Sequence, residues 1–459
     1  MADVQPSPRA EFEVSVETLI VGGGACGMVA ALAAHEAGQD VLVIEADAVA
    51  SGSTALSAGL IPAAGTKLQT AAGIADSPAT FAMDIRAKAA GENDPILEDA
   101  LAQGAVQVID WLTETHGLPF SVVTDFDYPG HSNRRMHGLP TRSGAELVDA
   151  LRTECERQGI EIIRNIRATT LFADGRRISG VSTTRPDGQQ ERIGCRKLIL
   201  ACNGFGGNRT MVSDHLPEIR DALWFGHDGN KGEAIVWGQA LGAKLGQLGA
   251  YQGHGNVAHP HGILITWAVI TEGGFQVNRD GCRFWNEAQG YSEAARAVLR
   301  QPGGTAFAIF DTRIADVARQ FEDFRNAEKA GAVAQGNTIE ELATKLGIPA
   351  RALSDELAAI PSGELDRFGR SFPHQRLTAP YLGVCVTGAL FHTQGGLCTD
   401  GTGLVRHSDG GMFDNLYAGG GAACGVSGSG DSGYLSGNGL LSAVVLGHNA
   451  GRASIRVTP

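Results

Sequence analysis

The chain has 459 residues, 37 basic against 50 acidic, for a formal net charge of −13. It carries 63 glycines, roughly twice the usual share, without a triplet period or high proline, which excludes collagen-like and most low-complexity chains. An acidic balance with no block of lysine and arginine argues against nucleic acid or an anionic membrane as partner, and leaves a small molecule as the expected one.

Hydrophobic residues make up 43% of the chain and aromatic ones only 6%, so the apolar part is mostly Ala, Val, Leu and Ile. That suits a large α/β protein, with length enough for two domains. The segment from Met1 to Glu13 is acidic and lacks the pattern of a signal peptide, and no continuous apolar stretch is long enough to span a bilayer. A cytoplasmic protein without a membrane span is expected. The cysteines at 26, 155, 195, 202, 282, 385, 398 and 424 contain no C-x-x-C pair, fit neither a disulfide framework nor a zinc site, and most of them read as small buried hydrophobes.

In chain order, the first element is a strand, Thr18 to Val21, followed by Gly22-Gly23-Gly24-Ala25-Cys26-Gly27. A small-residue helix runs to Ala37, and a second strand, Asp40 to Ile44, ends at Glu45. This is the βαβ spacing of a dinucleotide-binding unit. Gly22 makes the tight turn, Gly24 lets a pyrophosphate approach the backbone, and Gly27 lets helix and strand pack closely. The first-turn amides of Ala25 and Cys26 face the phosphates, while Glu45, followed by Ala46, accepts hydrogen bonds from the ribose. The next segment, Ala50 to Gly65, is built of Gly, Ser and Ala. It can run against a flat ligand without bulky side chains intervening, and Ser53, Thr54, Ser57, Ala58 and Gly59 are its expected contacts.

Pro78 to Leu118 has helical patterning, and an amphipathic helix from Gly144 to Gln158 leads to a strand, Ile160 to Ile163. Thr169 to Arg192 alternates around Asp174-Gly175 and Asp187-Gly188, which predicts a β-meander with tight turns. Ala168, at its start, is a further expected cofactor contact. A buried strand from Lys197 then runs into a glycine turn, where Ala201, Asn203 and Gly204 give the backbone a second approach to the ligand. Between about Tyr251 and Phe391 the charge rises, and helices are expected at Ser292 to Arg300, Ile314 to Ala330 and Thr338 to Leu346; this stretch reads as an inserted domain. The three histidines between His254 and His261 lack cysteines or nearby carboxylates, so they line a pocket or face solvent and no metal is expected. Arg134, Arg135 and His137 lie in a polar loop suited either to an anionic substrate or to the surface. Glycine-rich loops return from Thr393 to Gly439, before an apolar helix, Leu440 to Ala450.

Several ordered motifs together resemble the FAD-dependent flavoproteins that include soluble fumarate reductases and 3-ketosteroid dehydrogenases. They are GGGACG with Glu45, SGSTALSAG, LACNGFGGN, VNRDGCRFWNE (277 to 287), FHTQGGLCTD (391 to 400), and NLYAGGGAACGVSG followed by YLSGNGL. The resemblance covers nearly the whole chain. It implies an α/β fold with a Rossmann-like FAD-binding domain made of two chain segments, 1–250 and 392–459, and an inserted α+β cap domain, 251–391. The flavin is expected to meet Gly421, Asn438, Leu440 and Leu441 in the second segment. Relatives with covalent flavin attach it to a histidine that the segment Ser51 to Gly59 lacks, so FAD is expected to be non-covalent. The glycine excess then becomes the footprint of one extended cofactor.

The family divides by chemistry. Fumarate reductases carry an arginine proton donor shortly after the Asn-Glu of the cap segment, where this chain has Tyr291, and a carboxylate-clamping arginine near the C-terminus, where it has Tyr434. A phenol does not replace a bidentate guanidinium. The ketone-dehydrogenating branch resembles this chain more, through a tyrosine after Asn-Glu and the pattern Tyr434-Leu435-Ser436-Gly437. Gly421 departs from the many relatives that have a flavin-contacting glutamate there. His392 stands where fumarate reductases bind a carboxylate. The resemblance therefore implies desaturation of the α,β C–C bond of a cyclic ketone, such as a 3-ketosteroid or an oxo-cyclohexanecarboxylate. Tyr434 or Tyr291 removes the α-proton, with Ser436 or the other tyrosine supporting the phenolate, and hydride passes to flavin N5; an external acceptor then takes the electrons. The alternative is fumarate-reductase-like reduction of an unsaturated carboxylic acid, supported by His392 and Thr271-Glu272.

Overall fold

The computed structural model describes residues 2–8, 12–49, 51–124, 127–361, 363–372 and 375–455; Ala50, where the small-residue segment begins, lies outside them. The chain forms two compact units. The first comprises Met1–His215, Gly226–Tyr251 and His392–Pro459, and the second Leu216–Phe225 and Gln252–Phe391.

The first unit is organised by a nine-stranded mixed sheet. The strand Val14–Val21 has exposed early residues and a fully buried end, Thr18 to Val21, the continuous apolar run of a strand covered on both faces. It pairs in parallel with Val41–Ile44, which pairs in parallel with Glu161–Ile163. Its other neighbour, Gln190–Leu200, changes partners along its length. Gln190 to Gly194 runs antiparallel to Arg177–Thr184, completing the meander, whereas Leu198 to Leu200 runs parallel to Leu416 to Ala418. The final part of the chain thus rejoins the sheet started by the first.

Helix Ala25–Glu36 is buried along ten consecutive residues, from Ala25 to Ala34. The C-terminal helix Asn438–Arg452 approaches it through glycine: a Cβ on Gly447 would lie 2.5 Å from the Cys26 carbonyl oxygen, and one on Gly451 2.4 Å from that of Ala30. The end of the C-terminal helix is capped by a buried lysine. Lys197 Nζ donates to the carbonyls of Ala450, Gly451 and Ala453, each at 2.9 Å, satisfying oxygens that have no partner within the helix.

The second unit has a seven-stranded sheet around Tyr381–Thr393, flanked by Thr305–Asp311 and Tyr251–Ala258. Leu223–Trp224 adds to the same long strand. The expected single helix Ile314 to Ala330 is two, Thr312–Ala318 and Glu322–Lys329, separated where Phe321 turns extended (φ −90°, ψ 131°). A further helix, Ala350–Ala359, buries Leu353 and packs Ala350 and Leu357 against the core of this unit. Among the described residues no helix is long and apolar enough to cross a membrane.

Candidate active site

The glycine turn after Val21 has the strain and clearance a dinucleotide requires. Gly22 has φ +111°, and a Cβ there would stand 2.5 Å from the Ala201 carbonyl oxygen; only glycine is comfortable in that backbone region. A Cβ on Gly27 would lie 1.9 Å from the Gly22 oxygen, whereas one on Gly24 would meet nothing closer than Thr54 Oγ1, at 3.4 Å. Gly24 is the open face of the turn. It caps helix Ala25–Glu36 without a side-chain bond, so first-turn amides that have no intrahelical partner are presented there. Glu45 is oriented by backbone, accepting from Gly23 N–H at 2.7 Å and from Asp47 N–H at 2.9 Å. Ile166 N–H donates to the Glu45 carbonyl at 2.9 Å, which brings the segment leading into Ala168 beside Glu45 and Ala46.

Two polar nodes extend this cradle. Thr54 Oγ1 accepts from Ala25 N–H at 3.1 Å, and Ser53 Oγ receives Asn203 Nδ2 and Asn230 Nδ2, both at 2.8 Å. Ser57 bonds to the Thr54 carbonyl and receives Gly59 N–H. Gly59, at φ +64°, packs against Ser143, while Ala58 is exposed. Asn203 holds a positive φ of 66° and accepts Gly204 N–H at 2.8 Å. A Cβ on Gly421 would lie 2.1 Å from Asn203 Oδ1 and 2.9 Å from His392 Nε2. Those two groups fill the space from which a glutamate side chain would have to start. The residues present therefore fit an adenine dinucleotide bearing a flavin: an open amide face, a pre-oriented ribose acid, and at the start of the C-terminal helix a buried acceptor, Asn438 Oδ1, with no protein donor. Leu440 and Leu441 occupy the same first turn.

A hydrogen-bond relay fixes the state of His392. Asn438 Nδ2 donates to Ser427 Oγ at 3.4 Å, Ser427 Oγ donates to Gln394 Oε1 at 3.2 Å, and Gln394 Nε2 donates to His392 Nδ1 at 2.7 Å. With Nδ1 accepting, the ring proton belongs on Nε2, the nitrogen facing Gly421. Enclosure lowers the His392 pKa to about 4. His392 is thus a neutral N–H donor rather than a cation.

Tyr434 and Ser436 are both buried, at 6% and 4% exposure, on the loop before Gly437. Gly437 takes φ +85° against Pro62, where a Cβ would be 2.6 Å away. Asp431 accepts from Ser432 Oγ at 2.8 Å, its carbonyl receives Tyr434 N–H at 3.3 Å, and the buried Tyr251 hydroxyl reaches its Oδ2 at 3.5 Å. The loop is held from outside by His131, whose Nε2–H donates to the Ser436 carbonyl at 2.9 Å. Burial, with the Arg135 charge, pushes His131 down to about 4. Arg135 is itself fully buried, pairing with Asp76 at 2.9 Å and Asp84 at 2.6 Å. Arg134 pairs with Asp127 at the surface. The polar loop therefore spends its buried cation on structure.

Tyr291 belongs to the second unit, at the first position of helix Tyr291–Leu299, behind Gly290 with φ +135°. The motif before it is an anchor. Arg283 makes a fork to Glu287 (3.0 and 2.6 Å) and reaches Asp366 at 2.5 Å, while Arg370 lies 3.1 Å from Glu287. Asn286 caps the short turn after it by accepting Ala288 N–H at 2.9 Å. Tyr291 thereby faces His254, stacked at 5.0 Å between ring centroids and 19°, and Trp267, edge-on at 6.4 Å. Phe391 stacks on His254 at 5.3 Å and on Phe225 at 4.6 Å. His254 Nδ1 accepts Asn256 N–H at 3.2 Å, and burial lowers its pKa to about 3. His259 and His261 are exposed. The sequence gives no pattern for this cluster, since its rings come from separate stretches; nor does it mark Tyr251, Asp431, Gln394 or His131. The rarity of tyrosine, six in the chain, could have drawn attention to Tyr251.

Comparison with known proteins agrees with this geometry. The FAD binding domain family matches residues 17–440. The chain is 30% identical to a probable fumarate reductase of Shewanella frigidimarina, over 98% of this chain and 76% of the relative. Among solved structures it is similar to the open conformation of a flavocytochrome c3 fumarate reductase (TM-score 0.81, 29% identity, 96% of this chain and 78% of that one). The 3-ketosteroid Δ4-(5α)-dehydrogenase of Rhodococcus jostii RHA1 shares the fold, with a TM-score of 0.77 at 24% identity over 98% of this chain and 100% of that one. The chain belongs to the FAD binding domain family, as an FAD-dependent oxidoreductase of the group that contains fumarate reductases and ketosteroid dehydrogenases.

Proposed function

We propose that this oxidoreductase desaturates the α,β C–C bond of a cyclic ketone, a 3-ketosteroid or an oxo-cyclohexanecarboxylate, with the first unit as a two-segment, Rossmann-like FAD domain and the second as its cap. The observation that carries this reading is the surroundings of Tyr291. Stacked and edge-on rings with an uncharged histidine suit a flat, largely apolar substrate, and these rings offer a dicarboxylate no cation. FAD, held non-covalently, supplies the two-electron acceptor when bound, and an external acceptor reoxidises it.

The protein's own residues handle the proton and the oxygen. Tyr434 or Tyr291 takes the proton from the carbon beside the carbonyl; a phenol, with an ordinary pKa of about 10, needs hydrogen-bond support of its anion to act near neutrality, and Ser436 or the second tyrosine provides it. The His392 Nε2–H donates to a substrate oxygen, whether carboxylate or ketone. Donation to an oxygen that gains charge is the stronger contribution, up to about 3 kcal/mol per donor.

A second reading, reduction of an unsaturated carboxylic acid, is favoured by the likeness to fumarate reductases over nearly the whole chain. Parallel assays separate the two. Saturated cyclic ketones are expected to reduce a dye through the enzyme and to yield the enone; turnover only in the other direction, with a reduced dye and enoate acceptors, would refute the desaturase.

A further inference from the structure

The cysteines, scattered in sequence, do not all stay apart in the fold. Leu397 and Ala423 form a parallel bridge, and Cys424 N–H donates to the Leu397 carbonyl at 2.8 Å. Cys398 and Cys424, each one residue beyond that bridge, therefore stand on neighbouring chain segments. Gly246 on the neighbouring strand makes room for them: a Cβ there would lie 2.7 Å from Cys398 Sγ and 3.3 Å from Cys424 Sγ.

The two sulfurs are not equivalent. Cys398 is partly exposed and Cys424 is buried. Cys398 is bonded through its backbone to Lys244 on one side and Arg406 on the other, both at 2.8 Å. The neighbouring Cys424 thiol lowers the Cys398 thiol, burial opposes this, and the charges of Lys244 and Arg406 add to the lowering against Asp94. The neighbouring Cys398 and burial raise Cys424. An accessible thiolate beside a buried thiol is the arrangement of an attacking and a resolving cysteine.

We propose that Cys398 and Cys424 form a redox-active dithiol that closes to a disulfide on reaction with a small hydroperoxide. Cys398 thiolate attacks the peroxide: an S–O bond forms, the O–O bond breaks, and hydroxide leaves and is protonated to water. Cys424, losing its proton to the departing oxygen, attacks the Cys398 sulfur; the S–S bond forms, the S–O bond breaks, and a second water leaves. Two thiols and one hydrogen peroxide thus give one disulfide and two waters. The closed loop contains Gly421, so the modification lies in the segment that meets His392.

The test uses the reduced, FAD-loaded full-length protein, exposed to stoichiometric hydrogen peroxide, denatured in an alkylating agent and mapped without reduction. The expected result is loss of two of the eight titratable thiols, a linked Cys398–Cys424 peptide, and full recovery with dithiothreitol. Cys424→Ser should leave Cys398 as a sulfenic acid trapped by dimedone. The proposal is overturned if both cysteines remain alkylated at doses that oxidise the exposed Cys282, or if Cys398 proceeds to sulfinic acid in the wild type while Cys424 stays free. The wild-type map decides even if the variant fails to fold.

Discussion

Gly22, Gly27, Gly204 and Gly421 in the first unit and Phe225, His254, Trp267, Tyr291 and Phe391 in the second use side-chain volume in opposite ways. In the first unit the function rests on side chains that are missing: added Cβ atoms at these glycines would lie 2.5, 1.9, 2.0 and 2.1 Å from their nearest neighbours. In the second unit the proposed ketone site rests on rings that touch, with centroid distances from 4.6 to 6.4 Å. Under the proposed function, a cofactor shared by many enzymes is met by backbone, and the ketone by side chains. Damage to the two regions should therefore have different signatures.

The largest expected effect is at the anchor beneath the rings. Glu287→Ala removes the buried carboxylate shared by Arg283 and Arg370 and should cost about 3–5 kcal/mol in urea unfolding; a cost under about 1 kcal/mol would mean that the ion cluster does not fix the segment before Tyr291. Next is Gly27→Ala, whose methyl meets the backbone oxygen of Gly22 and should cost about 3 kcal/mol together with bound FAD. Gly38→Ala is its control, with φ +76° but nothing within 4 Å of the added carbon, and should cost only about 1–2 kcal/mol with flavin content unchanged. Equal losses from the two would show that close approach is not what glycine provides at position 27.

The third test acts on both regions at once. His137, bonded to Thr66 and the Arg135 carbonyl, and His254 are lowered to about 4 and about 3 by burial. Their folded pKa values lie below the unfolded value, so between that value and the folded one the unfolded chain binds more protons, and stability falls as pH drops. From neutrality to pH 5 each histidine should remove about 2 kcal/mol. His137→Gln and His254→Gln should each flatten the profile in that window. His392, likewise lowered to about 4, should impose no acid limb near pH 6.5 on activity. The smallest effect is that of Gln394→Leu, which leaves His392 without its Nδ1 donor. A loss of about 1 kcal/mol, a fall of roughly fivefold in kcat/KM with FAD retained, is expected; an unchanged rate would remove the relay from the account.

Much of the first unit was legible in sequence because its requirements are local. Gly22 to Gly27, the strand before them and Glu45 lie within one short βαβ unit, and glycine spacing maps directly onto backbone approach. The second unit was legible as a change in composition and in helices such as Tyr291–Leu299 and Ile339–Leu346, but its ring cluster was not. Phe225, His254, Trp267, Tyr291 and Phe391 come from separate stretches, Phe225 and Phe391 meeting where the long strand Tyr381–Thr393 pairs with the two-residue Leu223–Trp224, and no periodicity within one segment encodes that meeting. The same holds for Cys398 and Cys424, and for the chain from Asn438 through Ser427 and Gln394 to His392. Tyr434 and Ser436 were found through a family pattern, whereas His131, which holds the Ser436 carbonyl from a distant loop, could not be.

Whether a tyrosine of this chain starts the oxidation of a ketone is decided by anaerobic rapid mixing of the FAD-loaded protein with a saturated cyclic ketone. Wild type should lose its oxidised-flavin absorbance. Tyr434→Phe, with equal flavin content, should do so at least about 100-fold more slowly if it supplies the base, with Tyr291→Phe as the paired variant. Bleaching at the wild-type rate in both variants would contradict the claim.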